Sequence, residues 1–341
     1  MKHILSVLLT TITLCSYSTE FLTYRKIVEQ NEMEFPLFDN PENLKSIDKI
    51  NRLLQIAELS LIIGHEKRTV FERTRILDNG IFDGKVTMVL KILENSDRVL
   101  SLKFDQEESY ATMYYWTSYY NFNPQNGDLI QLEDLFTDIG YKAFVKKVKK
   151  KRIKDFRAYF KNKVPKDLVH IEDSYANDDL NDFYIQGSKI FIEGDNCFHK
   201  NLKFSGVKTL HEFNLNYFQD YLNDYGKVLF GIKNNQTHYN SYVSSCLPAL
   251  YKGHIGGSPI YFYLQKKSIY ADDIQATYVY SKYGKGIRLY GEYRNETLYL
   301  TEDDENYKKR ASIEAKIEGN TITGIWKSQS AVNYAIQLTR E

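Results

Sequence analysis

An apolar run from Ile4 to Leu14 opens the chain behind Lys2 and His3, and the pattern then turns amphipathic, with Ile47, Ile50, Leu53, Leu54, Ala57 and Leu61 spaced three and four apart. That spacing predicts one helix within residues 24–64, entered after Asn40-Pro41 and ended by Gly64. From Val70 to Phe104 the period becomes two, with Val86, Met88, Leu90 and Ile92 alternating against Thr87, Val89 and Lys91, which predicts strands. A second helix is predicted between Tyr141 and Lys163. Phe144, Val145, Val148, Phe156, Tyr159 and Phe160 lie near one of its faces, while Lys146, Lys147, Lys149 to Lys151, Arg152 and Lys154 crowd the remainder. A strand pair split at Gln186-Gly187-Ser188 and a short helix at Leu215 to Leu222 follow.

The polar, aperiodic stretch Lys233 to Ser245 reads as a linker. Beyond Leu250 seven short strands alternate with turns such as Tyr283-Gly284-Lys285-Gly286 and Glu318-Gly319-Asn320. The expected fold class is α+β. A mixed sheet-and-helix domain over 65–232 is followed, after a linker at 233–249, by an all-β antiparallel meander or barrel-like domain over 250–341.

The basic start, short apolar run and Ser16-Tyr17-Ser18 predict a signal peptide over 1–18, cut after Ser18. The run is well below the roughly 20 residues of a spanning helix. The expected location is therefore periplasmic or secreted, with a lipoprotein through Cys15 as the lesser alternative because Leu14 stands where a small residue is needed. Of the three cysteines only Cys197 and Cys246 remain after cleavage, and they form either one disulfide or two buried thiols. With 45 basic and 44 acidic side chains the net charge is +1, which argues against a nucleic-acid partner. The lysine-rich helix then reads as a solvated face balanced by Glu172, Asp173, Asp178, Asp179 and Asp182.

Tyr120-Asn-Phe-Asn-Pro-Gln-Asn-Gly127-Asp-Leu-Ile-Gln-Leu132-Glu-Asp134-Leu-Phe136 resembles the signature of a domain-of-unknown-function family. That family is shared by the extracellular region of the RsiV anti-sigma factor, a lysozyme receptor, and by the PdaC peptidoglycan deacetylase. Asp182-Phe-Tyr-Ile185, Ile190-Phe-Ile192, Phe204-Ser-Gly206-Val and Tyr221-Leu222 resemble the family's closing hairpin, glycine turn and terminal helix, so the likeness spans about residues 65–230. It implies a binding surface whose partner is a lysozyme-type protein or peptidoglycan. It carries over neither anti-sigma nor deacetylase activity, because the corresponding segments are missing. Tyr251-Lys-Gly253, Tyr278-Val-Tyr280, Leu289-Tyr-Gly291 and Gly324-Ile-Trp326 are similar to a recurrent β module of secreted bacterial proteins, and their spacing fits strand curvature.

Catalytic and cofactor motifs are incomplete. His211-Glu212 opens like a zinc-protease motif, but Leu215 occupies the place of the second histidine. Cys197 and His199 lack the rest of a tetrahedral metal set, and Gly256-Gly257-Ser258-Pro259 is a turn rather than a nucleophile elbow. No metal, cofactor or catalytic residue is assigned. The aromatic stretch Tyr110 to Tyr120 supplies the candidate ligand-binding residues Tyr115, Trp116 and Tyr119, since rigid rings with polar tips suit protein and sugar surfaces alike. Strand alternation would bury either Tyr114, Trp116 and Ser118 or Tyr115, Thr117 and Tyr119. The expected function is a non-catalytic cell-envelope binding protein. The alternative is an exported hydrolase of envelope carbohydrate whose two acids only the fold would bring together.

Overall fold

The computed structural model describes residues 21–29, 32–40, 42–78, 81–109, 113–162, 164, 166–194, 206–234, 237, 239, 242, 247–266, 273–303 and 309–341. The expected signal peptide, Cys15, and the disulfide candidates Cys197 and Cys246 lie outside these residues. No helix among the described residues is long and apolar enough to cross a membrane. The fold is α+β with a C-terminal antiparallel barrel.

The amino-terminal region differs from the single helix its spacing predicts. β1 (Thr23–Glu29) and β2 (Met33–Asp39) first form an antiparallel hairpin. β1 is an edge strand with exposed or half-buried side chains, so it leaves no apolar period to read. The helix follows as α1 (Leu44–Leu54), burying Ile47, Ile50, Leu53 and Leu54, and runs into one π-helical turn at Gln55–Leu59.

Three further strands, β4 (Ile81–Asn95), β5 (Leu100–Ser109) and β6 (Met113–Phe122), complete a sheet of order β1-β2-β4-β5-β6, with β3 (Arg75–Asp78) paired to β4. α1 covers one face of this sheet over a core that includes Phe35, Met88, Phe104 and Phe122. A register shift between Lys85 and Thr87 makes Val86 an extra residue, a β-bulge that resets the alternation. Lys85 thereby takes the inward place expected of Val86, which is only half-buried. Its ammonium meets the buried Glu58 of the π turn at 2.7 Å, and Tyr120 donates to the same carboxylate at 2.6 Å. Burial would raise the Glu58 pKa, but Lys85 and the hydrogen bonds from Lys85, Tyr120 and Ser118 outweigh it and hold it low.

A second core is built on α2 (Asp138–Tyr159), which Thr137 caps by accepting from the Gly140 amide at 3.0 Å. Against it pack α3 (Val169–Ala176), the sheet β7 (Phe183–Gln186), β8 (Lys189–Glu193) and β9 (Leu210–Asn214), and α4 (Asp224–Leu229). The short helix expected at Leu215 to Leu222 is two 3-10 turns. Arg152, expected on the solvated basic face, is fully buried and donates to the carbonyls of Asp178, Asp179 and Glu193. Its neighbours keep to the surface, with Arg157 on Glu172 at 2.5 Å and Lys149 on Asn177 at 2.6 Å. Within the expected linker, Tyr239 and Tyr242 stack on Tyr225 at 4.9 and 3.8 Å, so rings anchor this segment to the second core.

The carboxyl-terminal region has eight strands, one more than the sequence pattern predicts: β10 (Ala249–Ile255), β11 (Ser258–Lys266), β12 (Asp273–Tyr280), β13 (Gly286–Arg294), β14 (Thr297–Asp303), β15 (Lys309–Glu318), β16 (Thr321–Ser328) and β17 (Asn333–Arg340). The extra strand, β10, pairs with β17 and closes the barrel. Inward positions such as Phe262, Tyr278, Leu289 and Ile313 fill it. Outward positions on one wall, Leu250, Tyr261, Tyr263 and Val279, are buried in the core of the amino-terminal sheet. The β12–β13 turn adds main-chain bonds across the same junction, with Ile62 donating to Gly284 at 2.7 Å and Gly286 to Ser60 at 2.8 Å.

Barrel closure needs close strand coiling at three glycines, the first being Gly253 on the β10–β17 seam, where a Cβ would fall 2.0 Å from the Gln337 carbonyl oxygen. A Cβ on Gly291 would fall 1.8 Å from the Tyr299 carbonyl oxygen, and one on Gly324 would fall 2.1 Å from that of Glu314. Replacing Gly291 by Ala should destabilise the protein by about 1–3 kcal/mol or more. Gly257→Ala, with nothing within 4 Å, should change stability by about 0.5 kcal/mol at most. Thermal melts of the two variants check the contrast. Lys85→Met leaves Glu58 buried without its cation, and chemical denaturation should show a loss of about 3–5 kcal/mol.

Candidate functional site

The face of the amino-terminal sheet turned away from α1 carries the candidate site. On β6, Tyr120 and Phe122 enter the core, so Thr117 and Tyr119 face outward. Tyr115 shares their phase, but it and Tyr114 are both exposed at the start of the strand, so the expected alternation buries neither of them. Trp116, out of phase with Tyr115, is half-buried and borders the same cleft as Tyr115 and Tyr119, whose volume is about 470 Å³. The three sequence-predicted rings are thus brought together.

Carboxylates surround them. Asp105 on β5, opposite Thr117, accepts from the Thr117 hydroxyl at 2.9 Å and pairs with Lys103 at 2.8 Å and Lys91 at 2.9 Å. Its burial would raise the pKa, but the hydrogen bonds from Lys103, Lys91 and Thr117 prevail and lower it. Tyr119 donates to Glu193 on β8 and stacks on Tyr184 at 5.7 Å. Burial and then the Glu193 charge push the Tyr119 hydroxyl pKa up, so it remains a donor. Tyr184 stacks in turn on Phe191 at 4.5 Å. Glu32, Glu107 and Asp182 complete the acidic lining.

Sequence reading missed these five acids because they come from the β1–β2 turn, β5, the segment before β7, and β8. The one local signal was Asp105 and Glu107, two apart on a strand and hence on one face. Of the cleft acids, Asp105 has a shifted pKa, and it moves down. A glycosidase acid needs the opposite shift.

His211, the half of a metal motif, is fully buried on β9. Its Nδ1 lies 3.1 Å from Asp155 of α2, and its Nε2 contacts the hydroxyl of Tyr175 of α3, which also reaches the Lys208 carbonyl at 2.5 Å. Burial pushes the imidazole pKa down to about 4, helped by Arg152, Lys151 and Lys208 and opposed by Asp155. This string ties α2, α3 and β9 together. Among the described residues no group of three or more His, Cys, Asp or Glu could hold a metal ion.

No family model matches the sequence, and no curated protein matches it. Among solved structures, the crystal structure of a member of the DUF3298 family from Bacteroides fragilis aligns with a TM-score of 0.43 at 13% identity, covering 63% of this chain and 97% of that one.

The His211 ring fixes a pH dependence. Its folded pKa of about 4 lies below an unfolded value of about 6.5, so the unfolded chain binds the proton first. Stability is therefore complete above the unfolded pKa, falls as the pH drops toward the folded pKa, and loses on the order of 3 kcal/mol. His211→Gln should flatten that slope between about pH 6.5 and 4.5. Urea titrations across that window check it, and equal slopes in the two proteins would exclude the assignment.

Proposed function

We propose that the chain is an exported, non-catalytic binding protein of the cell envelope, and that its sheet cleft takes a basic protein surface of the lysozyme type. The observation that carries this reading is the meeting of Tyr115, Trp116 and Tyr119 with five carboxylates around one cleft. Rings supply rigid contact area at low entropic cost, and surplus acid steers a cationic partner while disfavouring acidic ones. Five carboxylates and no lysine or arginine stand among the described residues that line the cleft, while Lys91 and Lys103 pair with Asp105 from beside it. The downward shift of Asp105 supports binding over hydrolysis, the leader pattern of residues 1–18 supports export, and the resemblance of residues 65–230 to the RsiV and PdaC family supports the class of partner.

Pull-down of the mature chain against a C-type lysozyme and against insoluble peptidoglycan, followed by calorimetric titration, tests the reading. Lysozyme should be retained, with affinity falling as salt rises. Tyr115→Ala, at an exposed position, should cost about 2 kcal/mol of binding without lowering the melting temperature. Turnover of muropeptides that vanishes when one cleft acid is replaced would establish the hydrolase instead.

A further inference from the structure

The barrel carries a second concavity, built mainly on β13 to β16 with Ile274 of β12 at its border. Pairing registers set its outward side chains in two rungs. Glu292, Tyr299 and Glu314 stand abreast on β13, β14 and β15, and Tyr290, Thr301, Ser312 and Lys327 stand abreast on β13 to β16. Together they border a groove of about 610 Å³ whose floor includes Gly291, Leu300 and Ile313. Gly291 sits between the rungs, where its contact with the Tyr299 carbonyl lets β13 and β14 coil closely.

The chemistry differs from that of the sheet cleft. Two carboxylates are matched by two cations, with Glu314 on Lys327 at 2.8 Å and Glu292 on Arg294 at 3.1 Å, and the Arg294 guanidinium lies 4.9 Å from the Tyr299 ring centre. Both ion pairs are solvent-exposed, so exchanging them for ligand hydrogen bonds costs little. A charge-balanced surface gives no net pull on an ionic ligand. Two tyrosines on adjacent strands, one rung apart, border the groove, the Tyr299 ring with Arg294 over one side, and aromatic rings suit the C–H faces of sugars. Carboxylates, hydroxyls and an ammonium flank them as acceptors and donors for vicinal hydroxyl groups. A peptide added as a strand is disfavoured, because a closed barrel has no open edge to extend. We infer that this groove is an oligosaccharide-binding site, centred on Tyr290 and Tyr299 and independent of the sheet cleft.

The full mature chain is titrated by calorimetry and saturation-transfer NMR with chitohexaose, cellohexaose and maltohexaose. At least one should bind saturably. Tyr299→Ala and Tyr290→Ala should each weaken it about tenfold or more, while Tyr299→Phe, which keeps the ring face, should hold affinity within about threefold. Tyr115→Ala should leave it unchanged, and melting curves confirm that each variant is folded. Absence of binding by all three sugars at millimolar concentration overturns the inference, as does binding that survives both alanine variants. Loss of lysozyme capture with sugar binding intact would sink only the cleft reading.

Discussion

Glu58 is a buried carboxylate that three elements must approach at once. It sits in the π-helical turn after α1, with Lys85 of β4 at 2.7 Å and the Tyr120 hydroxyl of β6 at 2.6 Å. A carboxylate so placed is tolerable only when its partners are held in register, because leaving it unpaired costs several kcal/mol. The bulge at Val86 supplies one partner and the phase of β6 the other. The same phase that sends Tyr120 inward sends Tyr119 out to Glu193, so helix docking and the arrangement of the cleft are set by one alternation. The influence of Glu58 extends into the barrel, where burial and then the Glu58 charge push the Tyr263 hydroxyl pKa up.

Structural and binding demands fall largely on opposite faces of the sheet, with Trp116 bordering the cleft from the phase of the inward Tyr120. One face carries the apolar core under α1, and the other carries rings and carboxylates. In the second core, buried polar groups serve as joints: Arg152 gathers three carbonyls, and the Asp155, His211 and Tyr175 string joins two helices to a strand. Such groups resemble catalytic machinery by residue type alone. What separates them is placement, since each is spent on main-chain carbonyls or on neighbouring side chains.

Legibility in the sequence followed the range of the interaction. α1 and α2 were visible because Ile47, Ile50 and Leu53, or Phe144 and Val148, recur within a few turns of one helix. Most barrel strands were visible by period two, but β10 was not, because Ala249, Leu250 and Tyr251 are buried in succession, inside the barrel and against the sheet, which erases the alternation. β1 was missed because an exposed edge strand lacks a buried phase, and β2 because Phe35, Pro36 and Phe38 are buried without strict alternation. Arg152 sat in a lysine run and read as solvated, since the carbonyls that bury it arrive 26 to 41 residues later. In the cleft, ring density marked Tyr115, Trp116 and Tyr119, while the acids around them came from scattered segments whose convergence only tertiary structure specifies.

The barrel wall buried against the sheet through Leu250, Tyr261, Tyr263 and Val279 has a mechanical consequence. Two folds that share one core cannot swing like beads on a string; pull on one is transmitted to the other through close-packed side chains and the main-chain bonds at Ser60 and Ile62. The cleft and the barrel groove are then fixed points on one rigid caliper. For ligands displayed on a surface, a linker would let two weak contacts find each other over a range of spacings. A caliper grips at one spacing, with no tether entropy to lose, and ignores the rest.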